Sequence, residues 1–273
     1  MSRLADDKKK DNTNEKTMTS EWHTLFKKSV SAKDEKQDNG LYKKIAGYTQ
    51  YRMFVDDFME LEKGLHEIYN ELWDAGENDR LELRINSNGG MVNEGGQFYS
   101  IIKNKFNGRT TTILDNKGYS MGALTFLFGD ERVVTERADL MLHDYAGGVA
   151  GKGGEIQARN EHTQKFIRKF FKEILLDTGF LSKKEFDNML IGQDYWMDVE
   201  ELCERGMATH VLVNDKNIKA SEYLATKRYV GENKETEKQR NKNIKKLAKQ
   251  IKKEISKRLK KNILKAWYIP DTM

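Results

Sequence analysis

The chain has 273 residues, 33% charged and 37% apolar, with 48 Lys and Arg against 43 Asp and Glu, one Pro and one Cys. A lone cysteine excludes a disulfide framework and a Cys-rich zinc site, and no run of about 18 apolar residues is present to span a membrane. The net charge of +5 conceals an asymmetry: between Lys242 and Lys265 lie eleven basic residues and one acid, Glu254, so a local +10 is attached to a remainder of −5.

Residues 1–45 are polar and of mixed charge, with few apolar residues beyond Trp22, Leu25 and Phe26. Such a segment buries too little surface to offset its ordering entropy, so a largely disordered arm is expected, with one short helix around Trp22 to Lys28. The opening MSRLADDKKK has no apolar signal core, and with the single cysteine it points to a reducing, cytoplasmic setting.

A compact domain is expected over residues 46–215. From Asp57 to Ala75 the apolar residues Phe58, Leu61, Leu65, Ile68, Tyr69 and Leu72 recur with a helical period. Leu81, Leu83 and Ile85 then alternate with polar residues, a strand pattern that stops at the turn cluster Asn86-Ser87-Asn88-Gly89-Gly90. Val92 to Phe106 reads as helix, Thr110 to Leu114 as strand, and the small apolar run Ser120 to Phe128 as a buried helix. Short strands are expected at Arg132 to Thr135 and Leu140 to Leu142, and a long helix from Glu155 to Gly179. A helix from Val199 ends at Gly206, and His210 to Val213 is the last strand. Strand–helix alternation of this kind predicts an α/β fold with parallel strands. Residues 216–273 are expected to be a linker and an amphipathic helix, with Ile244, Leu247, Ile251, Ile255, Leu259 and Ile263 forming a stripe opposite a lysine face.

Three places carry candidate chemistry. Gly118-Tyr119-Ser120-Met121-Gly122 sets a serine between small residues where a strand gives way to a helix, and free N–H groups there can stabilise an oxyanion. A plain glycine-flanked helix cap explains the same residues. Asn88-Gly89-Gly90 is either a turn alone or a turn whose Gly90 N–H points into a site. His143, between an apolar strand and the glycine-rich run from Ala146 to Gly154, is the natural general base at neutral pH. A hydroxyl nucleophile needs a base and the base an orienting carboxylate, which spacing does not single out among so many acids.

Residues 48 to 213 resemble the proteolytic subunit of the Clp protease, the ClpP-like serine peptidases of the crotonase-type fold. That family has N-S-P-G-G where this chain reads N-S-N-G-G from Asn86. It has A-S-M-G-A where this chain reads Y-S-M-G-A from Tyr119, and an M-I-H-Q-P-like stretch where this chain reads M-L-H-D-Y from Met141. Asp194-Tyr195-Trp196-Met197-Asp198 resembles the stretch holding the family's catalytic aspartate. The resemblance implies a spiral of strand–helix repeats with a long handle helix, and a nucleophile at Ser120, a base at His143 and an orienting Asp194. It implies an oxyanion hole at the N–H groups of Gly90 and Met121, with an extended peptide lying along Gly90, Met91 and Val92 and along Ala146, Gly147 and Gly148. It further implies protein substrates, a homo-oligomer of heptameric rings that stack, no cofactor and no metal. Two prolines of the family pattern are absent, replaced at Asn88 and Tyr145. The N-terminal arm and basic C-terminal helix also depart from it, which bears on docking to an AAA+ unfoldase. Divergent tail-bearing members occur in bacteriophages, some as head-maturation proteases.

Other readings stay open from sequence. Ser120, Asp194 and His210 follow the α/β-hydrolase order; an acyl-CoA enzyme shares the crotonase scaffold; and a ring-forming assembly protein without turnover would keep the fold alone. Cys203 reads as a small buried group. The helix between Lys242 and Lys265 is expected to dock on the body, or to contact nucleic acid or a scaffold partner, and its few aromatic anchors disfavour a membrane surface.

Overall fold

The computed structural model describes residues 34–36, 41–45, 47–58, 65–231 and 235–267. The helix expected around Trp22 lies outside these residues. A ten-stranded mixed sheet organises the chain, with helices packed on it. Its first strands, β1 (Asp34–Lys36) and β2 (Leu41–Ile45), fall inside the segment expected to be an arm, so the sheet begins before residue 46. Both pair antiparallel, β2 against β3 (Thr49–Val55), by backbone bonding that composition does not signal.

The centre of the sheet is parallel. β3 pairs β4 (Arg80–Ser87), β4 pairs β5 (Thr110–Tyr119), β5 pairs β6 (Glu131–Thr135), and β6 pairs β9 (His210–Val213). Leu81, Leu83 and Ile85 are essentially fully buried, while the alternate residues carry cross-strand ion pairs, Arg52 with Glu82 and Arg84 with Asp115. The antiparallel hairpin of β9 with β10 (Lys216–Lys219) closes the far edge.

The helix expected from Asp57 begins at Leu65: α1 spans Leu65–Trp73, whereas Phe58 forms an isolated bridge with Gly90. α1 packs on α2 (Val92–Lys105) through Tyr69 stacked on Phe98, their centroids 5.5 Å apart. α3 (Met121–Leu127) is buried at every residue. β7 (Asp139–Leu142) leads into 143–152, where no strand forms. The long helix is α4 (Gly153–Phe171), continued by a π-helical turn at Lys172–Leu176. α5 (Lys183–Met189), β8 (Tyr195–Met197) and α6 (Val199–Arg205) follow, then α7 (Ala220–Arg228) after β10.

The last element, α8 (Glu237–Trp267), lies on the body. Ala248 and Ile251 are buried, and Ile244, Leu247, Ile255 and Leu259 pack against the core. Asn262 donates its amide to Gly179 O at 2.9 Å, and a Cβ at Gly179 would stand 2.6 Å from Leu259 O, so helix backbone and turn touch. No helix of the described residues is long and apolar enough to cross a membrane.

Candidate active site

β5 forks, and the fork positions the serine. Its first half, through Leu114, pairs β6, while Lys117–Tyr119 pairs β7. Ser120 follows the fork and precedes α3, with φ 54° and ψ −122°. Such angles are costly for a residue with a Cβ and persist only where the surroundings enforce them. Here Ser120 N donates to Met141 O at 2.9 Å, and Ser120 O accepts from Ala123 and Leu124 at 3.0 and 3.2 Å. The strand ladder grips one side of the residue and the first helical turn the other. Among the described residues the only other non-glycines with positive φ are Asn214 and Asp215, in the tight β9–β10 hairpin turn where such angles are usual.

The glycine turn after β4 abuts this serine. A Cβ on Gly89 (φ 113°) would stand 2.6 Å from Ser120 Cβ, and one on Gly90 (φ 130°) 1.9 Å from Phe58 O. Phe58 brackets the turn, donating to Gly89 O and accepting from Met91 N, both at 2.6 Å. Among the described residues no protein acceptor takes up the N–H of Gly90 or of Met121. Met91 is engaged at both ends, since its O accepts from Gly95 N, and Val92 opens α2. Of the stretch expected to pair with a peptide, Gly90 therefore offers the free backbone.

A second support was not legible in the sequence. Asp57 Oδ1 accepts the Asn88 N–H at 2.5 Å and the Ser87 hydroxyl at 3.3 Å, and Oδ2 accepts the Asn88 amide at 3.1 Å. Lys117 Nζ donates to Asn88 Oδ1 at 2.8 Å. Slight burial pushes the Asp57 carboxyl up, but the bonds from Asn88 and Ser87, with the Lys117 charge, outweigh it and hold the carboxyl below its ordinary value. Asp57 stands some 30 residues from the turn it holds, which no local motif reports.

Ser120 and His143 line one cavity of about 100 Å³, together with Gly90, Met121, Asp144 and Ala146 and an apolar floor of Val92, Leu124, Leu142, Phe171 and Leu175. Asp144, also absent from the sequence reading, has its carboxyl raised by burial, against the opposing pull of the Tyr145 N–H and of His143. β7 and β8 are antiparallel with Leu142 opposite Tyr195, so the register extended by one residue sets His143 opposite Asp194. Among the described residues His143 is hydrogen-bonded to neither Ser120 nor Asp194. Gly147 and Gly148 are exposed, in a segment without strand pairing.

The alternative triad is not assembled. His210 sits in β9 with Nδ1 3.2 Å from Glu131 Oε1 and does not line the cavity. Cys203 is fully buried, and burial pushes its thiol up to about 12, which leaves it unreactive at neutral pH. Phe186 is core, whereas Trp196 is 55% exposed and meets Tyr119 edge-on.

Comparison with known proteins matches residues 62–215 to the family model described as Clp protease. The ATP-dependent Clp protease proteolytic subunit of Bacteroides thetaiotaomicron is 29% identical over 163 residues, covering 58% of this chain and 71% of that protein. The subunit of the same name from Ligilactobacillus salivarius is 30% identical over 141 residues, covering 51% and 70%. The Bacteroides fragilis subunit is 27% identical over 163 residues, covering 58% and 75%.

Proposed function

Because the chain belongs to the Clp protease family and is a serine-type peptidase, we propose that Ser120 is its nucleophile, His143 its general base and Asp194 the carboxylate that orients the imidazole. Ser120 Oγ attacks the scissile carbonyl while His143 takes its proton. The oxyanion is met by the N–H groups of Gly90 and Met121, and His143 returns the proton to the leaving amine. Water activated by the same imidazole releases the acyl-enzyme. The observation that carries this reading is the strained Ser120, wedged between α3 and the Gly89–Gly90 turn with two free N–H groups beside it. The missing Ser120–His143 and His143–Asp194 bonds are those that commonly tighten when substrate binds.

We further propose that the substrate is a protein segment lying extended against Gly90 on one side and residues 146–148 on the other, as an added strand. Its scene is a chamber formed by stacked heptameric rings. α4 supports that reading: it is exposed along most of its length, with Ile156 and Phe166 turned outward, as a handle between rings would be. The ATP-dependence in the relatives' name makes an AAA+ unfoldase the proposed partner. A Clp-type subunit is favoured by the named relatives, while the added α8 is the feature that suits a phage head-maturation protease instead.

A fluorophosphonate probe tests the triad. Labelling of wild type but not of Ser120→Ala, and weak labelling of His143→Ala, is the expected result. No labelling in any assembly state, with rings seen in particle images, would favour the second reading, an assembly protein without turnover, which draws on the lack of a hydrogen bond from His143 to Ser120 or Asp194 among the described residues.

A further inference from the structure

The apolar stripe of α8 is spent on the body of its own chain, which leaves the opposite side of the helix to solvent. Along that side Lys242, Lys246, Lys249, Lys253, Lys257 and Lys260 recur every three or four residues, all exposed. At a rise of about 1.5 Å per residue they form a straight cationic row of about 27 Å. Among the described residues none of the six forms an ion pair. Some lysines of the body do pair, Lys103 with Glu173 and Lys183 with Asp187. Like charges three and four residues apart weaken a helix, and a merely solvated face is built more cheaply from alternating signs.

We propose that this row is a docking surface for the phosphate backbone of double-stranded DNA, an activity separate from the peptidase site. The chemistry of the row selects this partner over the others. Protein interfaces are depleted in lysine and enriched in aromatics and arginine, and the row holds neither. Lying in a lipid surface requires a free apolar face, and the only apolar side chain on the outward side among the described residues is Leu264. Single strands are held by base stacking on aromatic rings, and the six lysines of the row have none among them. Duplex RNA is recognised by shape across two successive minor grooves, over about 16 base pairs, a longer and broader footprint than a single straight row of about 27 Å. Point cations in a line match phosphates and carry no base-reading fork, so binding is sequence-independent.

The test uses the full-length protein and a fluorescein-labelled 30-base-pair DNA duplex of random sequence, followed by anisotropy from 50 to 200 mM KCl. Saturable binding at 50 mM is expected, with log K falling against log salt at a slope of about −0.9 per phosphate engaged. The triple variant Lys246→Gln, Lys253→Gln, Lys257→Gln retains good helix formers and should bind at least about tenfold more weakly, its slope flatter by about 2 to 3. The control triple Lys184→Gln, Lys216→Gln, Lys219→Gln makes the same change in net charge away from the row and should bind as wild type. Circular dichroism verifies that both variants keep the helix. Absence of binding at 50 mM, or equal loss in the two variants, overturns the proposal. Tighter binding to an RNA duplex or to polyglutamate than to DNA overturns it in favour of that partner.

Discussion

Asp57 holds Asn88 at both ends: one carboxylate oxygen accepts the backbone N–H at 2.5 Å and the other the side-chain amide at 3.1 Å. Lys117, at the end of β5, reaches the same amide from the opposite side. Asn88 stands where the resembling family pattern has a proline. A ring would stiffen that turn by fixing φ, whereas here three side chains from three segments clamp it. Two residues further on is Gly90, which lines the serine cavity and whose N–H is proposed as an oxyanion donor.

Asp57→Ala is therefore expected to loosen the proposed oxyanion donor without removing it. Loss of an oxyanion donor costs about 10²–10³ in kcat, so a mispositioned one is expected to cost roughly tenfold or more, with KM nearly unchanged and the melting temperature close to wild type. Peptide-hydrolysis kinetics check the split, and a rise in KM at constant kcat would remove the positioning role. The pH dependence has a definite sign. The Asp57 carboxyl lies below its ordinary value in the folded chain, so its contribution is complete above that ordinary value and is lost only as pH falls through the lowered one. The clamp should accordingly be intact at neutral pH and fail only in acid.

Gly90→Ala is expected to abolish turnover. The added Cβ would stand 1.9 Å from Phe58 O, on a backbone with φ 130°, so either the Phe58 bracket or the turn must move. Folding should survive with a lowered melting temperature, because the clash lies at the rim of the sheet. Circular dichroism together with fluorophosphonate labelling separates the two effects: an unchanged labelling rate in a folded variant is the contrary outcome.

Much of this site was legible because its pieces are local. The alternation of Leu81, Leu83 and Ile85, the double glycine and the serine before a buried helix each mark a strand end or helix start within a few residues. The strands β1, β2, β3, β8 and β10 and the helices α5 and α7 escaped because their stability comes from pairing and packing on distant partners. Lys216–Lys219, for example, has one half-buried apolar residue, Ile218, and is a strand because β9 bonds to it. Asp57, Phe58 and Asp144 escaped for the same reason, since only the folded sheet brings them to the turn and the cavity. The boundary of the long helix was missed because its hydrogen-bond pattern widens at Lys172–Leu176, a change that apolar periodicity does not register.

The C-terminal helix is part of the folded body. Ile251 is 3% exposed and Asn262 carries the contact to Gly179. Ile251→Ala should cost about 2–5 kcal/mol, as for a truncated core isoleucine, and Asn262→Ala about 1 kcal/mol for a neutral hydrogen bond. Chemical denaturation measures both. Values near zero for the pair would mean that α8 leaves the body in solution.

The ion cluster at Arg205 links this packing to the proposed triad. Arg205 is buried and binds Glu185 and Glu201, each at 2.8 Å, tying α6 to α5. The segment between those two helices contains Asp194 and β8, so the cluster borders the span on which the proposed orienting carboxylate stands. Arg205→Met leaves Glu185 without its cation, and breaking such a pair from one side costs roughly 3 kcal/mol, the low end for buried pairs. Burial pushes the Glu185 carboxyl up, but its bonds to Ser182 and Arg205 outweigh that and lower it. Stability from Glu185 is thus complete above the ordinary glutamate value and lost as pH falls through the lowered one. Denaturation midpoints of wild type and Arg205→Met should converge as the solution is acidified and stay apart at neutral pH. If Asp194 depends on this span, kcat of the variant falls while the protein remains folded at 25 °C. A variant that loses stability with kcat intact would show that β8, through its pairing with β7, positions Asp194 without the cluster.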